Sequence, residues 1–244
     1  MIGTRPAKVI YHYDDLAVKV FNEDYSKANI LNEALNQARV EETGLNIPAL
    51  VEVSKLGSKW AIATKYIQGK TLAQLMDENP DKLSEYMELF VTLQLQIHEK
   101  SSPLLTLHKD KMHRKISESG LDATARYDLH TRLGSMPKHR KVLHGDYNPS
   151  NIIITDDGTP FIIDWAHATQ GNASADAART YLLFKLEGKH DIAEMYMDAF
   201  CQKSDTAKQY VQQWLPIVAA SQLVKGNENE REFLESWVHV VDYQ

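Results

Sequence analysis

The chain has 244 residues, 43% of them apolar, so it can bury a sizeable core, and its net charge of −6 speaks against nucleic acid as the main partner. No run of about 18 apolar residues is present and the N-terminus lacks a signal-peptide pattern, so no membrane role is expected. The lone Cys201 has no second cysteine for an internal disulfide, which suits a reducing, cytoplasmic setting.

In chain order, the first clear element is LAVKVF at 16–21, where apolar residues alternate about Lys19 as in a half-buried strand. Ser26 is a fair N-cap for a helix running to Thr43, where Gly44 stops it and Pro48 lies just beyond. Within that helix Glu33 falls between Ile30 and Val40, at the edge of the apolar arc. A strand over Trp60–Tyr66 leads into the turn Gln68-Gly69-Lys70-Thr71, with Thr71 as the next N-cap. Asn79-Pro80 opens another helix, which Leu83, Met87, Phe90, Val91 and Ile97 carry to His98, an imidazole placed to compensate the helix dipole. His113-Arg114-Lys115 and Lys138-His139-Arg140-Lys141 are short basic patches expected on solvated faces. Ser174–Leu186 reads as a helix, and residues 190–244 read as helical throughout. Trp60, Trp165, Trp214 and Trp237 are most simply core aromatics.

Two stretches carry chemistry: VLHGDYNPSNIII at 142–154 and PFIIDWAHA at 160–168. Asp146 lies on a loop ahead of the apolar strand Ile152-Ile153-Ile154. Asn151 closes that loop. Asp156-Asp157-Gly158 is a strong turn signal that returns the chain through Phe161, Ile162 and Ile163 to Asp164. Pairing those strands brings Asp164 back near Asn151. Hard Mg²⁺ takes oxygen ligands and usually only one or two carboxylates, a demand that Asn151 and Asp164 fit. Asp146 is then left to orient an incoming hydroxyl or accept its proton. Phosphoryl transfer depends mostly on such positioning and charge neutralisation.

HGDYNPSN followed by a strand, a turn and IDW resembles the aminoglycoside phosphotransferase and choline kinase family, a branch of the protein-kinase-like fold. The likeness extends over roughly the whole chain and is weaker at both ends. It implies an α+β, two-lobe architecture, with a small β-rich nucleotide-binding lobe over 1–67 and a larger helical lobe over 68–244. It also implies a kinase using ATP or GTP with Mg²⁺ and a small-molecule hydroxyl as acceptor. Carried over by position, Asp146 is the catalytic base, Asn151 and Asp164 are the metal ligands, and His144 supports the catalytic loop. Lys19 and Glu33 secure the nucleotide, with Glu41 and Glu42 as rivals to Glu33. Backbone groups near Lys65, Tyr66 and Ile67 bind adenine, although an acidic residue is common where Lys65 stands. Asp176 and Arg179 match the family's D-x-x-R and brace the catalytic loop.

The segment from Ile2 to Val9 departs from the pattern. It has a single glycine where a glycine-rich hairpin usually covers the phosphates, and Pro6 contributes no N–H. The first strand is expected to be almost absent, with Thr4, Arg5 or Lys8 replacing missing phosphate contacts. An alternative reading, a nucleotide-binding pseudokinase acting through partners, draws on that shortened loop. A metal phosphoesterase lacks the further His and Asp ligands of a two-metal site. The acceptor is left open: residues 174–244 hold 11 Asp and Glu against 7 Lys and Arg, a mild bias that suits a cationic substrate and equally a solvated face. Tyr181, Tyr196, Trp214 and Trp237 are candidates for an aromatic cage around choline.

Overall fold

The alternating stretch about Lys19 is a strand, and it lies in the middle of an antiparallel sheet. A computed structural model describes residues 3–5 and 7–238 of the chain. It opens with β1 (Gly3–Arg5), β2 (Lys8–Tyr13) and β3 (Leu16–Phe21), followed by α1 (Lys27–Glu41), β4 (Leu50–Leu56) and β5 (Lys59–Lys65). The short β6 (Lys70–Thr71) runs into α2 (Leu72–Glu78), and a 3-10 turn at Pro80–Lys82 precedes α3 (Leu83–His98). Next come α4 (His108–Glu118), α5 (Ala123–Ser135), β7 (Lys141–Leu143), β8 (Ile152–Ile154), β9 (Pro160–Ile162) and β10 (Thr169–Gly171). The rest is helical: α6 (Ala173–Leu186), α7 (His190–Ser204), α8 (Lys208–Gln212), α9 (Leu215–Leu223) and α10 (Glu228–Val238).

The chain divides into two compact units. The first comprises Met1–Lys82 and Asn148–Ala168. Its five-stranded sheet has the order β1-β2-β3-β5-β4, and a second sheet has the order β6-β8-β9. Ser26 caps α1 by accepting from the Asn29 N–H, and α1 buries Ile30, Ala34 and Val40. Phe21, Ile30, Ala34 and Ile62 form a small core there, flanked by Tyr25, Leu50, Val53 and Trp60. Thr71 and Gln74 form a reciprocal capping box at the start of α2. Pairing of Lys70 with Ile154 ties residues 70–71 to the β8–β9 hairpin. The compact units therefore do not follow the chain-order partition at 67–70.

The second unit comprises Leu83–Tyr147 and Thr169–Gln244 and is mostly helical. Its core centres on Phe90, which stacks on Tyr147 and meets Phe184 and Tyr196 edge-on. β7 and β10 pair antiparallel within it. Cys201 carries no disulfide. No helix among the described residues is long and apolar enough to cross a membrane.

The first strand has shrunk to three residues paired with β2, in register Gly3–Ile10 to Arg5–Lys8. Of the expected substitutes for a glycine-rich loop, the side chains of Thr4 and Arg5 lie outside the described residues, as does Pro6 between them and Lys8, while Lys8 itself lies within them.

Gly69 is required by close approach. A Cβ there would stand 2.2 Å from the Ile154 carbonyl oxygen and 2.8 Å from its carbon, both backbone atoms of β8. Gly69→Ala should therefore destabilise the protein by about 1–3 kcal/mol through overpacking. Urea unfolding of the variant checks this, and an unchanged midpoint would refute it.

Candidate functional site

In the first unit the polar groups meet at one end of an apolar slot. β3 carries Lys19 and α1 carries Glu33, and their side chains form a direct ion pair. The same ammonium lies 3.2 Å from Asp164 Oδ1. Burial alone would lower the Lys19 pKa, but Asp164 and Glu33 outweigh it and hold the ammonium above the ordinary lysine range. Glu33 is 7% exposed, the edge position that its place on the helix predicts. Glu41 instead accepts from the Leu50 N–H, so Glu33 is the helix carboxylate that reaches Lys19.

Asn151 and Asp164 flank the paired strands β8 and β9. Ile152 faces Ile162, and the Ile163 N–H donates to the Asn151 carbonyl at 2.9 Å. Asp164 takes left-handed backbone angles (φ 64°, ψ 62°), which cost an L-residue roughly 1–2 kcal/mol. Trp165 locks the following turn by donating its indole N–H to the Ile162 carbonyl at 3.0 Å. Asn36 on α1 donates to the carbonyl oxygens of Ala166 and Ala168, fixing that turn against the helix.

Lys8 also reaches the cluster, 3.6 Å from Glu33 and 3.8 Å from Asp164. Burial, and then the neighbouring Lys19, push its ammonium below the usual lysine range. Sequence reasoning named Lys8 only as one of three substitutes for a phosphate loop. The period-two spacing of β2, whose Ile10 pairs with Lys19, was the available signal.

A cavity of about 290 Å³ adjoins these groups, with Ile10, Ala17, Ile62, Ile153 and Ile163 among its apolar walls. Lys65, Tyr66 and Ile67 line it as well. The backbone N–H groups of Lys65 and Tyr66 are already committed, to Ala49 O at 2.9 Å and Asp15 O at 2.8 Å. The Lys65 ammonium turns outward to pair with Asp15. The Tyr66 ring stacks on His12 at 3.7 Å.

In the second unit the loop that carries Asp146 is organised by a buried carboxylate. Asp176, at the start of α6, accepts from the His144 N–H at 3.1 Å and from the Gly145 N–H at 2.7 Å. Gly145 has φ 78°, a conformation glycine adopts without strain. The sequence reading gives His98 a dipole-compensating role at its helix end. The structure instead buries it (2% exposed) and places its Nε2 3.1 Å from Asp176 Oδ2. That partner on another helix was invisible in the local pattern.

His144 is fully buried and its Nδ1 accepts from the Asp146 N–H at 3.2 Å. Tyr147 donates to the Phe90 carbonyl at 2.7 Å, and Thr180 donates to the Tyr147 carbonyl at 3.0 Å. Asp146 itself is partly exposed, with Arg179 Nη2 3.8 Å from its Oδ1. His167, beyond Asp164, is exposed.

The model of the phosphotransferase enzyme family matches residues 7–211. Among solved structures, aminoglycoside phosphotransferase APH(4)-Ia superposes with a TM-score of 0.72 at 13% identity, over 97% of this chain and 90% of its own. A variant of that protein in a ternary complex with ADP and hygromycin B gives 0.65 at 13% identity, over 96% and 90% of the two chains. The choline kinase LicA from Streptococcus pneumoniae gives 0.64 at 13% identity, over 98% and 91%. The fold is thus the α+β, kinase-like one of these proteins. No curated protein sequence matches the chain.

Burial would raise the Asp176 pKa, but the hydrogen bond and charge of His98, with His144 and the Gly145 N–H, bring it down to about 2 from 3.8. A carboxyl with a depressed folded pKa stabilises above its unfolded value and loses that contribution as pH falls through the folded one. Asp176→Ala should cost about 3–5 kcal/mol at pH 7, since it leaves buried donors unpaired. The difference from the parent should shrink as the pH drops from 3.8 toward about 2. Urea unfolding across that range measures both, and a pH-independent difference would refute the assignment.

Proposed function

Because the chain belongs to the phosphotransferase enzyme family, matched over residues 7–211, we propose that it transfers the γ-phosphoryl group of ATP to a hydroxyl of a small molecule. The observation that supports this most directly is the Lys19 ammonium shared by Glu33 and Asp164 beside an apolar-walled cavity. Apolar walls suit a purine, and a fixed cation at the polar end suits phosphate. The carbonyl oxygens and the Ile67 N–H of the 65–67 segment would hold the adenine edge, since the other two N–H groups there are spent.

Lys19, held in place by Glu33, contacts the α- and β-phosphates in this reading, and Lys8 supplements it. Asn151 and Asp164 offer hard oxygen donors at the ends of one strand pair, the kind of donor set that Mg²⁺ accepts, and they would hold it. Bound with the nucleotide, Mg²⁺ supplies neutralisation of phosphate charge. Asp146 accepts the acceptor's hydroxyl proton as its oxygen attacks the γ-phosphorus, and the bond to the β-phosphate breaks to release ADP. His144, Asp176 and Arg179 act through Asp146 by holding its loop and side chain.

Asp146→Asn should reduce turnover by about 10²- to 10⁴-fold, with the Mg-ATP thermal shift retained. Lys19→Met should abolish most of that shift. Phosphate transfer from labelled ATP across a panel of hydroxyl compounds, with both variants as controls, tests the reading. Full activity of the Asp146 variant would exclude its role as base. Nucleotide binding with no transfer to any acceptor would instead favour a pseudokinase.

A further inference from the structure

A second cavity, of about 540 Å³, lies within the second unit and shares no lining residue with the slot beside Lys19. It sits at the end of β7 away from the Asp146 loop. Arg140, just ahead of β7, lines it, as does Gly171, which pairs with Lys141. His144, Asp146, Asp176 and Arg179 take no part in it. Its volume falls in the range of small-molecule sites, about 300–1,000 Å³.

The buried part of the lining carries polar atoms that the protein leaves unmet. Gln170 is 2% exposed, and its amide nitrogen donates to the carbonyl oxygens of Pro103, at 2.7 Å, and Leu105. Those two bonds fix its Oε1, which has no partner among the described residues. Trp214, by sequence a candidate for a choline cage, is 1% exposed, and its indole N–H is likewise unpaired there. His108 meets the Trp214 ring edge-on at 5.9 Å and has an unpaired Nδ1. Burial first, then Lys111, lowers the His108 pKa to about 4, so its imidazole is neutral at pH 7. Buried donors and acceptors left unmet are a cost that folding does not require, and here three residues of one cavity carry them.

The exposed part of the lining is cationic. Lys138 and Arg140 come from the segment between α5 and β7, and the side chain of neither forms a hydrogen bond or ion pair among the described residues. Lys109, in the first turn of α4, is already held: its ammonium donates to the carbonyl oxygens of Gly134, at 3.1 Å, and Met136. That leaves it a fixed positive charge in the lining. Asp110 is the one acidic residue there.

We propose that this cavity binds a nucleoside monophosphate, its phosphate on Lys138 and Arg140 and the edge of its base toward Gln170 and Trp214. Nucleobases carry donors and acceptors along one edge and pack on aromatic side chains, which a fixed carbonyl, an indole N–H and two rings complement. A guanidinium pairs bidentately with phosphate oxygens, and two lysines supply further charge. None of the residues assigned to phosphoryl transfer takes part, so the site stands or falls by itself.

The test uses the full-length protein saturated with Mg-AMP-PNP and titrates AMP, GMP, CMP, UMP, adenosine and inorganic phosphate by isothermal titration calorimetry. At least one monophosphate should bind, with adenosine and inorganic phosphate weaker by about tenfold or more. Lys138→Gln with Arg140→Gln, two exposed changes that leave the core intact, should weaken the monophosphate by about tenfold to a hundredfold. Trp214→Phe keeps a ring and removes the N–H, and should weaken the monophosphate by about threefold to thirtyfold without affecting inorganic phosphate. No binding by any monophosphate, equal binding of inorganic phosphate, or unchanged affinity in the Lys138→Gln, Arg140→Gln protein would overturn the proposal. The last of these also separates this site from any second occupancy of the slot beside Lys19.

Discussion

Three separate stretches of the first unit converge on a single ammonium. Lys19 comes from the central strand, Glu33 from the helix that follows, and Asp164 from the end of a hairpin 145 residues further along the chain. Each carboxylate alone would be costly in a half-buried setting, and together they would repel. The lysine resolves both problems, and the two carboxylates in turn hold its pKa above the ordinary lysine range against burial. The left-handed backbone at Asp164 is tolerated because that ion pair and the Trp165 and Asn36 hydrogen bonds fix the surrounding turn. A strained carboxylate pinned at a cavity wall is poor economy for folding and good preorganisation for an incoming cation and phosphate.

The second unit solves a comparable problem with one buried anion. Asp176 takes a histidine and two consecutive backbone N–H groups, so the His144-Gly145-Asp146 turn is held by charge-assisted hydrogen bonds. Gly145 gives the turn its positive φ, and His144 returns a bond to the Asp146 N–H. The side chain of Asp146 is therefore presented by a rigid loop while remaining open to solvent. Tyr147 and Thr180 continue the brace into the aromatic core around Phe90. The role we propose for Asp146 needs that combination, a fixed backbone and a wet tip.

Much of this was legible in the residues because the signals were local. Alternation about Lys19, the Ser26 and Thr71 caps, and the Asp156-Asp157-Gly158 turn each specify their element within a few positions, and the elements form there. Helical phase placed Glu33 at the edge of the apolar arc, while its preference over Glu41 and Glu42 came from the family resemblance of the stretch that runs into Pro48. Features that depend on distant partners were not legible. Nothing near His98 announces Asp176, and the period of β2 sets the face of Lys8 without announcing that it will share the carboxylates of Lys19. The short strands β7 and β10, with three residues each, carry too few positions for a period to show.

Charge shows the same division between composition and position. The C-terminal third is mildly acidic by count, which on its own would favour a cationic acceptor. Much of that acid lies elsewhere: Glu194 is spent on Lys185, Lys208 and Tyr181, and Asp198 on Lys208. The patch at His113-Arg114-Lys115 is only partly a solvated face. His113 stacks on His130 at 5.1 Å, while Arg114 and Lys115 lie close enough to the half-buried Lys111 to help burial lower its pKa. The field that a substrate meets falls off steeply with distance, and bulk salt screens its remote sources within about 10 Å. The Arg179 guanidinium, 3.8 Å from Asp146, therefore weighs more on that carboxylate than the net charge of the chain.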